Sequence, residues 1–283
     1  MRNPTISKIA FYWIPAAMIL VGYPFIGFDI IAGGFESQGN QLVSMQFLEG
    51  TYLYIIHHLL SFIPVFFFGI VLNWFDYRNA VWKELLVPLG MMALIFIAWD
   101  ILFTSLGVWR FNPAYIQGGS IINLPWEEVC WFFIIPFCSL FVYQIVKLRW
   151  SKPWGSARTL QYVLLVVLFG MYFMNMDRIY SATSLSMTIS MIGLSLIVNW
   201  KGFGLFIASF LLLLIPMGLF NGMLTGLLTK EALVQYNSAE FGGIRILSFP
   251  IEDIGFGFSF LAGILLLSDF IKHWLSGNYT LTK

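Results

Sequence analysis

The chain has 283 residues, of which 59% are hydrophobic, 18% aromatic and 10% charged; its mean hydropathy is +0.82 and its formal net charge +1. A soluble domain carries about 25% charged residues, so a soluble globular chain is excluded, and the balanced charge points to neither a nucleic acid nor an acidic partner. Cys130 and Cys138 sit two turns apart in one apolar run, too far for a mutual disulfide, and no zinc-type spacing exists.

A spanning helix needs roughly 20 mainly apolar residues. Eight segments meet that need: 9–32, 52–75, 85–107, 126–147, 159–176, 180–199, 203–227 and 251–272. The expectation is therefore an all-α, polytopic membrane helix bundle of about eight spans. The first segment holds Pro15, Pro24 and Asp29 and follows Arg2 and Lys8. Its apolar run is long for a signal core and no small-x-small cleavage site follows, so it reads as a retained span. With eight spans both termini share a side. That side collects Arg2, Lys8, Arg78, Lys83, Lys147, Arg149, Lys152, Arg158, Lys201, Lys272 and Lys283, against Arg110, Arg178, Lys230 and Arg245 on the other. Positive charge marks the cytoplasmic face, which predicts a multi-pass protein of the cell membrane with cytoplasmic termini.

Within this frame two stretches repeat. Asp100-x-x-x-Thr104 is followed by Gly118 and Pro125-Trp126-Glu127-Glu128; Asn221-x-x-x-Thr225 is followed by Gly243 and Pro250-Ile251-Glu252-Asp253. Gly118 to Pro125 and Gly243 to Pro250 are equal in length, while the second copy carries four extra residues before its glycine. Each copy runs from one span into the next, and the copies lie four spans apart. This is a parallel repeat, with a site expected at its interface. Asp100 falls about 10 Å inside the bilayer at 1.5 Å per residue. A charged residue there costs about 2.5–3.5 kcal/mol at the span centre and usually faces the bundle interior for a functional reason; an interhelical hydrogen bond is the plainer role. Thr104 lies one turn on, on the same face.

The Pro-x-acid-acid motifs are ordinary helix starts as far as Pro at the first position and an acid near the N-terminal dipole go. Two acids per copy exceed that need. Neighbouring helical residues point about 100° apart, so one acid of each pair faces the bundle and the other the loop; Glu127 and Glu252 are taken to face inward. Gly218, Gly222 and Gly226, and Gly255, Ser259 and Gly263, are small residues at helix-packing spacing. His57 and His58 are adjacent and cannot share one metal on a regular helix. Neither the dinucleotide fingerprint, the phosphate loop, His-Glu-x-x-His nor Gly-x-Ser-x-Gly occurs, so no cofactor or metal is called for.

Gly107-Val108-Trp109-Arg110-Phe111-Asn112-Pro113, Leu124-Pro125-Trp126-Glu127-Glu128 and Phe132-Phe133-Ile134-Ile135-Pro136-Phe137 resemble the first half of the membrane-type lycopene beta-cyclase family, and Asn221-Gly222-Met223-Leu224-Thr225-Gly226, Gly243-Ile244-Arg245-Ile246 and Pro250-Ile251-Glu252-Asp253 resemble its second half. The match covers 52–272 and looks like the fused single-chain form: an extra span and outer loop over 1–51, a first cyclase repeat over 52–150 and a second over 151–283. The resemblance implies an intramolecular lyase, in net terms an isomerase, that turns lycopene into γ- and β-carotene without redox change. A lipid-soluble carotenoid and membrane lipid are the implied partners, with other carotenoid-pathway enzymes as neighbours.

That chemistry asks for a protonated acid, a base and a dry pocket tolerant of a cation. A carboxyl in an apolar site can keep its proton near neutrality, and a second acid in another environment can stay ionised. Glu127 and Glu252 are assigned as the acid and the base, in either order, with Glu128, Asp253 and Asp100 in support; Trp109, Phe111, Trp126, Trp131, Asn221 and Thr225 are assigned to the substrate. This predicts that Gln at 127 or 252 leaves lycopene uncyclised. The alternatives are a relative giving ε, γ or C50 rings, and, in a different class, a membrane transporter. Transport is disfavoured because no span is broken by Gly and Pro at matching positions in both halves.

Overall fold

The computed structural model describes residues 33–35, 45–150 and 157–275. Seven helices carry the chain back and forth: α1 (Leu53–Val71), α2 (Trp74–Ser105), α3 (Trp126–Arg149), α4 (Arg158–Met174), α5 (Ile179–Ile197), α6 (Phe203–Leu224) and α7 (Glu252–Leu275). Among the described residues six of these are long and apolar enough to cross a membrane, and α4 is a shorter apolar helix of 17 residues. The expected first span, 9–32, lies outside the described residues.

The third predicted span begins earlier than hydropathy suggests. Asn73 and Asp76 explain it. The Asn73 side-chain oxygen accepts from Arg78 N at 3.0 Å, and Asp76 Oδ1 accepts from Asn79 Nδ2 at 2.6 Å. The first bond serves a backbone amide that a helix start leaves open and the second ties two side chains of the same turn, so the polar turn around Arg78 and Lys83 is wound into α2. Farther along, Glu84 of α2 meets Lys272 of α7 at 2.6 Å and Lys147 of α3 at 3.7 Å. All three are partly exposed, and such pairs contribute under about 1 kcal/mol each.

The repeat is a unit of three spans. α1, α2 and α3 form one copy; α5, α6 and α7 form the other; α4 lies between and returns the chain to the side on which the first copy began. α1 packs on α3 and α5 on α7. Between copies, α2 packs on α7 and α6 on α3. Gly255 and Gly263 of α7 sit tight against their neighbours: a Cβ would lie 2.4 Å from Ser184 Oγ and 2.4 Å from Met92 Cε. They let α5 and α2 approach closely.

The connectors after α2 and α6 hold short strands. β1 (Trp109–Phe111) pairs antiparallel with β4 (Val234–Tyr236), with Arg110 opposite Gln235. The Arg110 Nε donates to Gln235 Oε1 at 2.8 Å. Flanking them, Asn112 N donates to Leu233 O and Asn237 N to Val108 O, both at 2.8 Å; each bond is the repeat image of the other. A two-fold axis along the membrane normal through this pair is the geometry of a parallel repeat. Small hairpins then lead into α3 and α7: β2 (Ser120–Ile121) with β3 (Leu124–Pro125), and β5 (Arg245–Ile246) with β6 (Phe249–Pro250). Their turns hook back: Asn123 Nδ2 donates to Ile101 O at 2.8 Å, and Ser248 Oγ to Gly222 O at 3.2 Å. Backbone polar groups near the bilayer are costly when unpaired, which is why these connectors fold onto one another.

Candidate active site

Under the β1–β4 pair lies a cavity of about 250 Å³, walled by α1, α3, α6 and α7. Its wall follows α3 from Glu128 down to Val142, a run of about 20 Å at 1.5 Å per residue. Polar groups gather at the connector end. Asp100, Glu128 and Asp253 all line it, and all three are buried. They come from α2, α3 and α7, so both repeats contribute.

Each carboxyl has its own setting. Asp100 Oδ1 accepts from Trp109 Nε1 at 2.5 Å and from Thr104 Oγ1 at 3.2 Å, while its Oδ2 is buried without a hydrogen-bond partner among the described residues. Glu128 accepts from the Tyr54 hydroxyl and shares the chamber wall with Asp100 and Asp253. Asp253 is the most thoroughly served: it accepts from the Tyr180 hydroxyl, from Asn221 Nδ2 at 2.6 Å, and from Tyr236 Oη at 3.1 and 3.0 Å to its two oxygens. Burial, and after it the charge of Asp253, push the Tyr236 phenol well above its ordinary range, so it stays a donor. An ionised carboxylate is acceptor-only, which suits Asp253 to carrying charge and Asp100, with its idle oxygen, to delivering a proton.

Aromatic faces close the rest. Tyr180 and Tyr236 stack at 5.8 Å, and Trp109 meets Tyr180 edge-on at 5.1 Å. Trp131 and Phe256 face each other across the chamber wall at 6.3 Å. A cation among such rings is attracted by about 2 kcal/mol or more when water is excluded.

The expectation that Glu127 and Glu252 face inward needs correction. Glu127 Oε1 accepts from Gln117 N at 2.8 Å, and Glu252 Oε1 from Gly242 N at 2.7 Å and from Ser181 Oγ at 2.5 Å. Neither lines the cavity. The 100° step between neighbours holds, but the inward member of each pair is the second one, Glu128 or Asp253, because the first is drawn to an amide of the connector folding back over the helix start. Gly118 and Gly243 make that fold: their φ values of +90° and +77° suit residues without a Cβ. Glu252→Ala would strand the half-buried Gly242 amide and the buried Ser181 hydroxyl. It is expected to cost about 1–3 kcal/mol, read as a lower melting temperature in detergent, with Glu252→Gln much closer to the parent.

Of the residues expected at the substrate, Trp109, Phe111, Trp131 and Asn221 line the cavity; Trp126 and Thr225 do not. Trp126 packs against Gly119 of its own hairpin and is partly exposed. Thr225 bonds Ser248 Oγ at 2.7 Å and so pins the second hairpin, and its hydroxyl reaches the Asn221 carbonyl, not the side chain. Sequence reasoning missed Tyr54, Tyr180 and Tyr236. The first two are repeat images, and the signal was there: Tyr54-x-x-x-His58 and Tyr180-x-x-x-Ser184 place His58 Nε2 on Glu127 O at 2.8 Å and Ser184 Oγ on Glu252 O at 2.7 Å. His57 lines the cavity. Among the described residues no group of three or more His, Cys, Asp or Glu could hold a metal.

The family model for lycopene cyclase matches the chain twice, over residues 51–146 and 177–271. The two matched segments take in the two three-helix units, and α4 falls between them. No curated protein and no solved structure matches.

Proposed function

The chain belongs to the lycopene cyclase family and is a membrane carotenoid cyclase; from that premise we propose that it converts lycopene to γ- and then β-carotene, with Asp100, Glu128 and Asp253 as the acid–base machinery. One observation carries the reading: three carboxyls from both repeats converge at one end of an otherwise apolar, aromatic-walled cavity. At about 250 Å³ the cavity is smaller than the roughly 300–1,000 Å³ of a pocket that swallows a whole ligand. It suits the end of a long polyene whose remainder stays in the bilayer.

The chemistry follows from the settings. Asp100 Oδ2 gives a proton to the terminal double bond, and the cation forms at the adjacent carbon. The next double bond in reach attacks that carbon, closing a six-membered ring and moving the positive charge into it. Asp253 then takes a proton from the ring carbon beside the charge, and the new ring double bond forms. One proton enters and one leaves, so the product is an isomer. Glu128, which lines the same chamber as the two aspartates, returns the proton for the next turnover. Trp109 fixes Asp100, and Tyr180, Tyr236 and Asn221 fix Asp253. We place the chamber toward the outer leaflet of the cell membrane, with cytoplasmic termini.

The test is pigment content in lycopene-producing cells. Glu128→Gln is expected to leave most lycopene uncyclised at normal protein levels. Glu127→Gln and Glu252→Gln, which keep the Oε1 acceptor, are expected to retain cyclisation within about tenfold, far short of the 10²–10⁴-fold that an acid–base group contributes. The opposite pattern would return the chemistry to Glu127 and Glu252. If neither set matters, the acid–base assignment is wrong.

A further inference from the structure

Among the described residues the two repeats build one chamber, not two, and we infer that each chain processes a single polyene end per visit: a second ring forms only after the one-ringed carotenoid has left and re-entered with its other end leading. This rests on the cyclase reading above. The repeat images Tyr54 and Tyr180, Asp100 and Asn221, and Glu128 and Asp253 locate where a second chamber would lie, between α5, α7 and α2. That space is filled. Ser61 and Leu213, which line the chamber, have Met187 and Met92 as their images; Ser139 and Phe220 have Ile264 and Trp99. These four counterparts are each at most 4% exposed. Met92 occupies the notch beside Gly263, where a Cβ would come within 2.4 Å of its Cε. Phe96 of α2 stacks on Phe260 of α7 at 4.3 Å and 11°, closing the same space. The carboxyl set is one-sided too, since Asn221 stands where the first repeat has Asp100. A conjugated polyene is stiff, so its two ends cannot enter one chamber together.

The experiment is a quenched time course of the full chain in lipid vesicles with lycopene in excess, products separated by chromatography. One-ringed carotenoid is expected first, with two-ringed product absent or appearing only after a lag. In a second arm, isotope-labelled lycopene is supplied with excess unlabelled one-ringed carotenoid, which is expected to dilute the label in any two-ringed product. Two-ringed product from the first turnovers, undiluted, overturns the inference while leaving the cyclase reading intact. Absence of any ring overturns the cyclase reading, and this inference with it. Ser61→Met gives the chamber the side chain of the filled half. At normal protein levels it is expected to lower both ring closures in parallel; loss of only the second closure reveals a separate second site and also overturns the inference.

Discussion

Asp253→Asn is expected to lower the yield of cyclised carotenoid by about 10²–10⁴-fold, the range a positioned acid or base contributes, with the protein still present in the membrane. The substitution is nearly isosteric and keeps one oxygen for the Tyr180 and Tyr236 hydroxyls. At the other position an NH₂ group replaces Oδ2 and would face Asn221 Nδ2, donor to donor. Asn221 can relieve that by turning its amide over, so folding is little disturbed. What is lost is the charge beside the ring cation and the acceptor of the final proton. The residual product should also change in kind, because the double-bond position in the ring records which carbon gave up its proton. Product separation in lycopene-fed cells reads both effects. A variant that keeps more than about a tenth of the parent yield, well outside the range for such a group, with unchanged ring type, would remove Asp253 from the reaction.

The assignment of the inward acids shows where sequence reading stops. Hydropathy located the seven described helices to within several residues, apart from the early start of α2, because a bilayer imposes a length on apolar runs. The repeat was legible for a like reason: Pro125 with Gly118, and Pro250 with Gly243, are local backbone requirements that leave a fixed spacing. Which of Glu127 and Glu128 faces the chamber is not local. It is decided by the Gln117 amide, brought back over the helix start by a connector whose path depends on its pairing with the other repeat. The same holds for Tyr236. It reaches Asp253 because β1 and β4 lie side by side, a contact between segments over a hundred residues apart. The four extra residues of the second connector fall between Thr225 and β4. There Leu228 O receives Met45 N, and Lys230 N donates to Glu49 Oε1 at 2.8 Å, so the insertion meets the segment ahead of α1.

The first repeat supplies the sharper test of who starts the reaction. Asp100→Asn is expected to abolish cyclisation as strongly as Asp253→Asn, because an amide at this site has no proton to deliver to an alkene. The Trp109 and Thr104 bonds to Oδ1 survive if the amide oxygen takes that position, and the new NH₂ then fills the place where Oδ2 now has no partner. The Oδ1 bonds are kept, so the protein is expected to stay folded and present in the membrane, which separates a lost function from a lost fold. Asn221, the image of Asp100, shows that an amide is tolerated at this point of the repeat. The double variant Asp100→Asn with Asp253→Asn should be scarcely worse than the poorer single one, since residues acting in one reaction are strongly non-additive. Two separate losses that multiply would mean that the aspartates act independently, which would overturn their pairing as donor of the first proton and acceptor of the last.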